Sequence, residues 1–247
     1  MSLDAHCHLE DPRLDAADAL ARAREAGVTG AILAGFGPER WPAQAALARS
    51  SPGLWTCHGL HPWRLVQGGE PARLLDELAD FLDRADPAPV GLGELGLDRS
   101  PRMPPDSWPV QVEVFRAQLA LARERDLPVV LHLVRADGAA WDLLRRDGLP
   151  RAGGMIHGFS GSVEMARNWL ALGLHLSFGR LLGRAGRAVV EVPGERLLVE
   201  TDAPDGAPEG PSALPRLARP LAALRGEEAG TLLARSEKNL RRLFRLG

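Results

Sequence analysis

Short apolar runs alternate with amphipathic stretches along the whole chain. The runs read as strands at Leu3–His8, Val28–Leu33, Leu54–His58, Val90–Glu94, Val129–Leu133, Met155–His157, Leu174–Phe178 and Leu197–Asp202. Between them apolar residues recur at helical spacing, as in Leu74, Leu75, Leu78, Phe81 and Leu82, or Val112, Phe115, Leu119 and Ala122. Ser107 followed by Trp108-Pro109 predicts a capped helix start with proline in the first turn. Pro87, Pro89 and Pro128 stand where a helix must stop before a strand begins. Eight strand–helix units in 247 residues match the size of a (β/α)8 TIM barrel. An open doubly wound sheet shares the alternation, but Asp11-Pro12 stands where its glycine-rich turn would follow the first strand. No internal repeat or linker interrupts the pattern, so residues 1–247 read as one α/β domain.

Composition narrows the setting. Hydrophobic residues make up 45% and charged residues 25%, as in ordinary globular chains, which argues against disorder. No apolar run approaches the roughly 20 residues of a membrane helix, and no basic region followed by an apolar stretch marks a signal peptide. Two cysteines, Cys7 and Cys57, are too few for a disulfide framework, so a reducing cytoplasm is the expected compartment. A net charge of −2 gives no electrostatic footprint for coating duplex nucleic acid.

The chemistry lies at the strand ends. His6 and His8 are two apart on the first strand and point the same way, so they can hold one metal ion together, with Cys7 facing the layer behind. Glu94, His132, His157 and Asp202 sit at or beside the C-terminal ends of later strands, where barrel active sites gather. One ion needs three or four protein ligands. Six, two of them carboxylates able to bridge, fit a pair of divalent ions. The assignment places His6, His8 and Asp202 on one ion, His132 and His157 on the other, and Glu94 between them. Asp202 is also the candidate to take the proton from an attacking water. Lys238, the only lysine, falls in the last helical stretch and cannot supply a carbamate bridge.

Asp4-Ala5-His6-Cys7-His8-Leu9, Gly59-Leu60-His61-Pro62, Gly93-Glu94-Leu95-Gly96-Leu97-Asp98, Ile156-His157-Gly158-Phe159-Ser160-Gly161-Ser162, Leu198-Val199-Glu200-Thr201-Asp202-Ala203-Pro204 and the closing Asn239-Leu240-Arg241-Arg242-Leu243-Phe244 form a distinctive set of motifs. Together they resemble the TatD family of metal-dependent deoxyribonucleases. The resemblance spans essentially the whole chain in order. It implies a TIM barrel of the metal-dependent hydrolase superfamily, ligands at the six positions above, and hydrolysis of DNA phosphodiesters supported by Mg²⁺ or Mn²⁺, with Zn²⁺ as a further candidate. The loops depart from the family pattern. Arg99-Ser100-Pro101-Arg102 replaces an aromatic-rich segment, the arginine after His132 comes one place late at Arg135, Gly158 replaces a cysteine, and Asp205 replaces a tyrosine.

Around the centre, His61 is a candidate to polarise the scissile group, and His58 an outer hydrogen-bond partner. Asp4 and Glu200 are expected to fill the barrel interior in hydrogen-bonded pairs. His175 is read as structural. Arg135 with Arg180 or Arg184 are candidates to clamp a phosphodiester, and Trp63 and Phe159 to stack an unpaired base. The leading expectation is a 3'–5' exonuclease on single-stranded or frayed DNA ends. A two-metal hydrolase of an ester, lactone or amide is the alternative, and a non-catalytic metal-binding partner protein is a third.

Overall fold

The computed structural model describes residues 2–180 and 182–247, and the side chains of all of these outside 182–184. Its strands are β1 (Ser2–Cys7), β2 (Val28–Ala34), β3 (Leu54–His58), β4 (Gly91–Asp98), β5 (Val129–Val134), β6 (Gly154–Ile156), β7 (His175–Phe178) and β8 (Leu197–Val199). The α-helices are α1 (Ala16–Glu25), α2 (Trp41–Ser50), α3 (Pro62–Leu65), α4 (Pro71–Arg84), α5 (Trp108–Glu124), α6 (Asp137–Asp147), α7 (Val163–Ala171), α8 (Leu182–Glu191), α9 (Leu214–Arg225) and α10 (Ala229–Phe244). All eight strands pair in parallel and in chain order. Beyond the end of β8 the chain closes the ring. Asp202 donates its N–H to the His6 carbonyl at 2.9 Å, and His8 donates to Ala203 at 2.8 Å. The fold is therefore the expected (β/α)8 barrel.

The helices form where the apolar spacing placed them. Leu74, Leu78 and Leu82 of α4 and Val114, Phe115, Leu119 and Ala122 of α5 are buried against the outside of the sheet. Proline does stand in the first turn of α5, but Ser107 does not cap it. Its hydroxyl donates to the Pro104 carbonyl at 2.6 Å and accepts from Gln111 at 2.9 Å. Two strand ends differ from the periodicity. β4 runs on to Asp98, because its glycines dilute the apolar signal while pairing with β5, shifted in register between Gly93 and Leu95, continues to Asp98. β8 stops at Val199; Glu200 still donates to Phe178 of β7, while Asp202 and Ala203 bond to His6 and His8.

Val130 and Met155 are two residues before His132 and His157, on the same faces of β5 and β6. With Ile32, Cys57 and Leu198 they join one buried cluster that includes Leu240, Leu243 and Phe244 of α10. This apolar layer lies beneath the histidines. Cys7 faces the other way, packed with Leu9, Ala19, Ala31 and Leu33, and neither cysteine is in a disulfide.

Strand spacing beside His132 depends on Gly96. A Cβ built there would stand 1.9 Å from the His132 carbonyl oxygen, which belongs to backbone and cannot yield. Gly96→Ala should therefore force β4 from β5 and lower the unfolding free energy by about 1–3 kcal/mol, read as a reduced midpoint in urea. An unchanged midpoint would show that the strands can part freely.

Candidate metal centre

Six side chains at or just beyond the ends of β1, β4, β5 and β6 and in the segment after β8 converge at the C-terminal mouth of the barrel. Glu94, at its floor, is 2% exposed and stands between two groups of donors. Its Oε2 lies 3.3 Å from His6 Nε2 and 3.2 Å from His8 Nε2. Asp202 Oδ1 completes that group, 3.5 Å and 3.8 Å from the same nitrogens. Glu94 Oε1 lies 2.7 Å from His157 Nε2 and 3.0 Å from His132 Nδ1, and these nitrogens are themselves 3.0 Å apart. Asp202 has left-handed backbone (φ 50°), which a short polar residue tolerates.

Outer partners set which nitrogen of each ring faces the centre. His8 Nδ1 donates to the Ala34 carbonyl at 3.0 Å, leaving the Nε2 lone pair inward. Asp98 Oδ2, 3.2 Å from His132 Nε2, leaves Nδ1 inward in the same way. The ring of His6 is fully buried, stacks on His157 at 4.1 Å, and has no hydrogen-bond partner at either nitrogen among the described residues. A buried imidazole with an orphaned lone pair, beside two carboxylates, is a donor set that a cation completes.

The electrostatics agree. Burial disfavours charge on His6, His8, His132 and His157, yet the carboxylates outweigh it and hold all four above the ordinary histidine range. Burial likewise opposes ionisation of Glu94, but His157, His61 and His6 hold its carboxyl well below the usual range. Asp202, beside His6, is pulled down to about 2 against the opposing effect of partial burial. Such a centre gathers positive charge. Among the described residues, three sets within it could hold a metal: His6, His8 and Asp202; His6, Glu94 and His157; and His61, Glu94 and His132.

His61 stands apart from the other imidazoles. Its Nδ1 accepts the Trp63 backbone N–H at 3.0 Å, so the single proton of the neutral ring sits on Nε2, 3.4 Å from Glu94 Oε1. Burial pushes this ring down to about 4. His61 is thus a fixed donor.

A cleft of about 670 Å³ opens above the centre, lined by His61, Trp63, Arg102, Arg180, Asp202 and Asp205 among others. Arg180 reaches it, while Arg135 is exposed beyond β5 and does not line it. The side chain of Arg184 lies outside the described residues. Trp63 lines the cleft, but Phe159 is buried edge-on to Phe178 in the core. His58 touches the site only through Gln44, which holds its Nδ1 at 3.2 Å and donates to the Ala34 carbonyl at 2.6 Å. Asp4 accepts the Thr201 hydroxyl and backbone N–H, and burial lifts its pKa to about 7. Glu200 accepts the Gly158 N–H at 2.6 Å, so each carboxylate is bonded to neighbouring chain, not to the other. His175 is buried at the start of β7.

Asp98 is the site residue that pattern reading missed. Its signal was its place four residues after Glu94, on the same face of β4.

The family model for TatD related DNase matches residues 3–245. The chain belongs to the TatD family. It is 33% identical to the uncharacterized metal-dependent hydrolase YjjV of Escherichia coli (strain K12), over 98% of this chain and 97% of that protein. It is 36% identical to a 3'-5' ssDNA/RNA exonuclease TatD of Erwinia tasmaniensis, over 91% of this chain and 92% of that one. The crystal structure of YjjV superposes with a TM-score of 0.91 at 32% identity, covering 100% of this chain and 98% of that one. This TatD-family chain is accordingly a metal-dependent hydrolase by descent. Among the described residues no helix is long and apolar enough to cross a membrane.

Asp98→Ala should free the His132 ring and weaken Mn²⁺ binding about 10–100-fold, measured by calorimetric titration. Native affinity in a folded variant would show that His132 needs no such support.

Proposed function

We propose that residues 1–247 form one hydrolase domain with a two-metal site that cleaves phosphodiesters of single-stranded nucleic acid from the 3' end. One observation carries the two-metal reading: the oxygens of Glu94 face separate donor groups, Oε2 toward His6 and His8, Oε1 toward His132 and His157. The oxygen and imidazole donors suit Mg²⁺, Mn²⁺ or Zn²⁺. The substrate class is supported by the relative named a 3'-5' ssDNA/RNA exonuclease, and by a cleft that carries both an arginine and an aromatic face, Arg180 and Trp63.

When bound, a pair of divalent cations lowers the pKa of water and neutralises charge on a phosphate. The side chains do the rest. His6, His8 and Asp202 fix one flank of the centre, His132 and His157 the other, and Glu94 sets their spacing. The Asp202 side chain is 32% exposed to the cleft and keeps its Oδ1 against His6 and His8. Its second oxygen is free to take the proton of the attacking water. His61, neutral and with its proton on Nε2, donates to a phosphate oxygen as negative charge builds there. Arg180 is the phosphate clamp; Arg135 has no part in it. We place this activity in the cytoplasm, where the two unlinked buried cysteines are stable as thiols.

End-labelled single-stranded DNA incubated with metal-loaded protein should shorten stepwise from its 3' end. Glu94→Ala should lose bound metal and activity together, by about 100-fold or more. His61→Ala should retain metal but lose about 10²–10³ in kcat. No shortening with Mg²⁺, Mn²⁺ or Zn²⁺, alongside turnover of an ester or lactone, would replace the nucleic-acid reading with that of another two-metal hydrolase.

A further inference from the structure

We propose that the arginines on the β1–β2 flank of the cleft form a second phosphate subsite, which takes the phosphodiester next to the scissile one. The proposal rests on the nucleic-acid reading above. Its anchor is Asp11, in the loop after β1, a carboxylate only 3% exposed. Oδ1 accepts from Arg13 Nε at 2.8 Å. Oδ2 accepts from Arg13 Nη2 at 2.9 Å and from Arg40 Nη1 at 2.8 Å. Arg13, ahead of Arg40, holds this carboxyl well below the usual range, so it stays an anion.

The contacts continue around the rim. Arg13 Nη1 donates to Asp205 Oδ1 at 2.6 Å, and Arg180 Nη1 donates to the Asp205 carbonyl at 2.7 Å. The Arg40 guanidinium also lies over the Phe36 ring, 4.6 Å from its centroid. Three guanidiniums from the loops after β1, β2 and β7 are thus braced in one row, and all three line the same cleft as Glu94 and Asp202.

Their free donors differ. Arg13 spends Nε, Nη1 and Nη2 on Asp11 and Asp205, so it serves as the brace. Among the described residues Arg40 and Arg180 each commit only Nη1, which leaves Nε and Nη2 of Arg180 for the scissile phosphate and those of Arg40 for its neighbour. A planar guanidinium already held in place grips a phosphate in a two-point fork at small entropic cost. Depth separates this subsite from the reacting group. Side-chain exposure rises from 2% at Glu94 to 26% at Arg40 and 56% at Arg13. The scissile phosphate belongs at the floor, and the rim meets its neighbour. Three guanidiniums against the carboxylates of Asp11 and Asp205 leave the rim positive.

The test compares two unlabelled phosphorothioate probes bound to metal-loaded protein by calorimetry: a dinucleotide with one linkage and a trinucleotide with two. The native chain should gain about tenfold in affinity from the second linkage. Arg40→Ala should lose most of that gain and flatten the dependence of log affinity on log salt by about 0.7. Arg40→Lys should restore the salt slope but only part of the gain. Asp11→Asn should lower the gain as well, because both arginines lose their anchor. An equal gain in native and Arg40→Ala would overturn the subsite, whatever the enzyme hydrolyses. An intact Arg40-dependent gain with no hydrolysis of unmodified DNA would refute the exonuclease reading alone. Failure of the native chain to bind either probe would refute both.

Discussion

A single buried carboxylate governs the architecture of the mouth. Glu94 carries its charge with only 2% of its side chain exposed, and an unpaired charge there would cost several kcal/mol. His6, His8, His61, His132 and His157 all bring a ring nitrogen within 3.4 Å of one or other of its oxygens. Neutral imidazoles alone do not balance this anion, since most present lone pairs to it. The balance is met by protons or by metal cations, and the inward-facing lone pairs set by Ala34 and Asp98 favour cations.

The barrel is built to hold those rings at fixed spacing. The link between β1 and the end of β8 ties His6 and His8 to Asp202 through backbone bonds, and Asp4 locks the same seam through Thr201. On the other side, Asp98 joins β4 to the His132 ring, and its carboxylate also accepts the Trp63 indole N–H at 2.6 Å. Trp63 in turn donates its backbone N–H to His61. One carboxylate therefore orients a metal-side histidine, an aromatic wall of the cleft and, through that wall, the tautomer of His61. Below, the apolar layer around Val130 and Met155 excludes water from the floor, which strengthens each of these interactions.

The barrel and its six converging residues were legible in the sequence because both rest on short-range periodicity. Alternation of strand and helix gave the order of elements, and period two along β1 put His6 and His8 on one face. What failed to show was anything set by long-range partners. His58 reads like its neighbours on β3, yet packs edge-on to Phe81 in the outer layer. Arg135 lies close to His132 in sequence, but its left-handed backbone (φ 52°) is part of a turn that leaves it away from the cleft. Asp98 was hidden by the glycine-diluted end of β4. The rim of Asp11, Arg13 and Arg40 is assembled from loops whose meeting no local pattern encodes.

Glu94 is proposed to divide two cations between its two groups of donors. Anomalous diffraction from crystals of the native chain grown with Mn²⁺ tests this directly. Two peaks are expected, one beside His6, His8 and Asp202 and one beside His132 and His157, with Glu94 ligating both. A single peak at saturating metal, or a pair that leaves Glu94 without a bond to either, would contradict it.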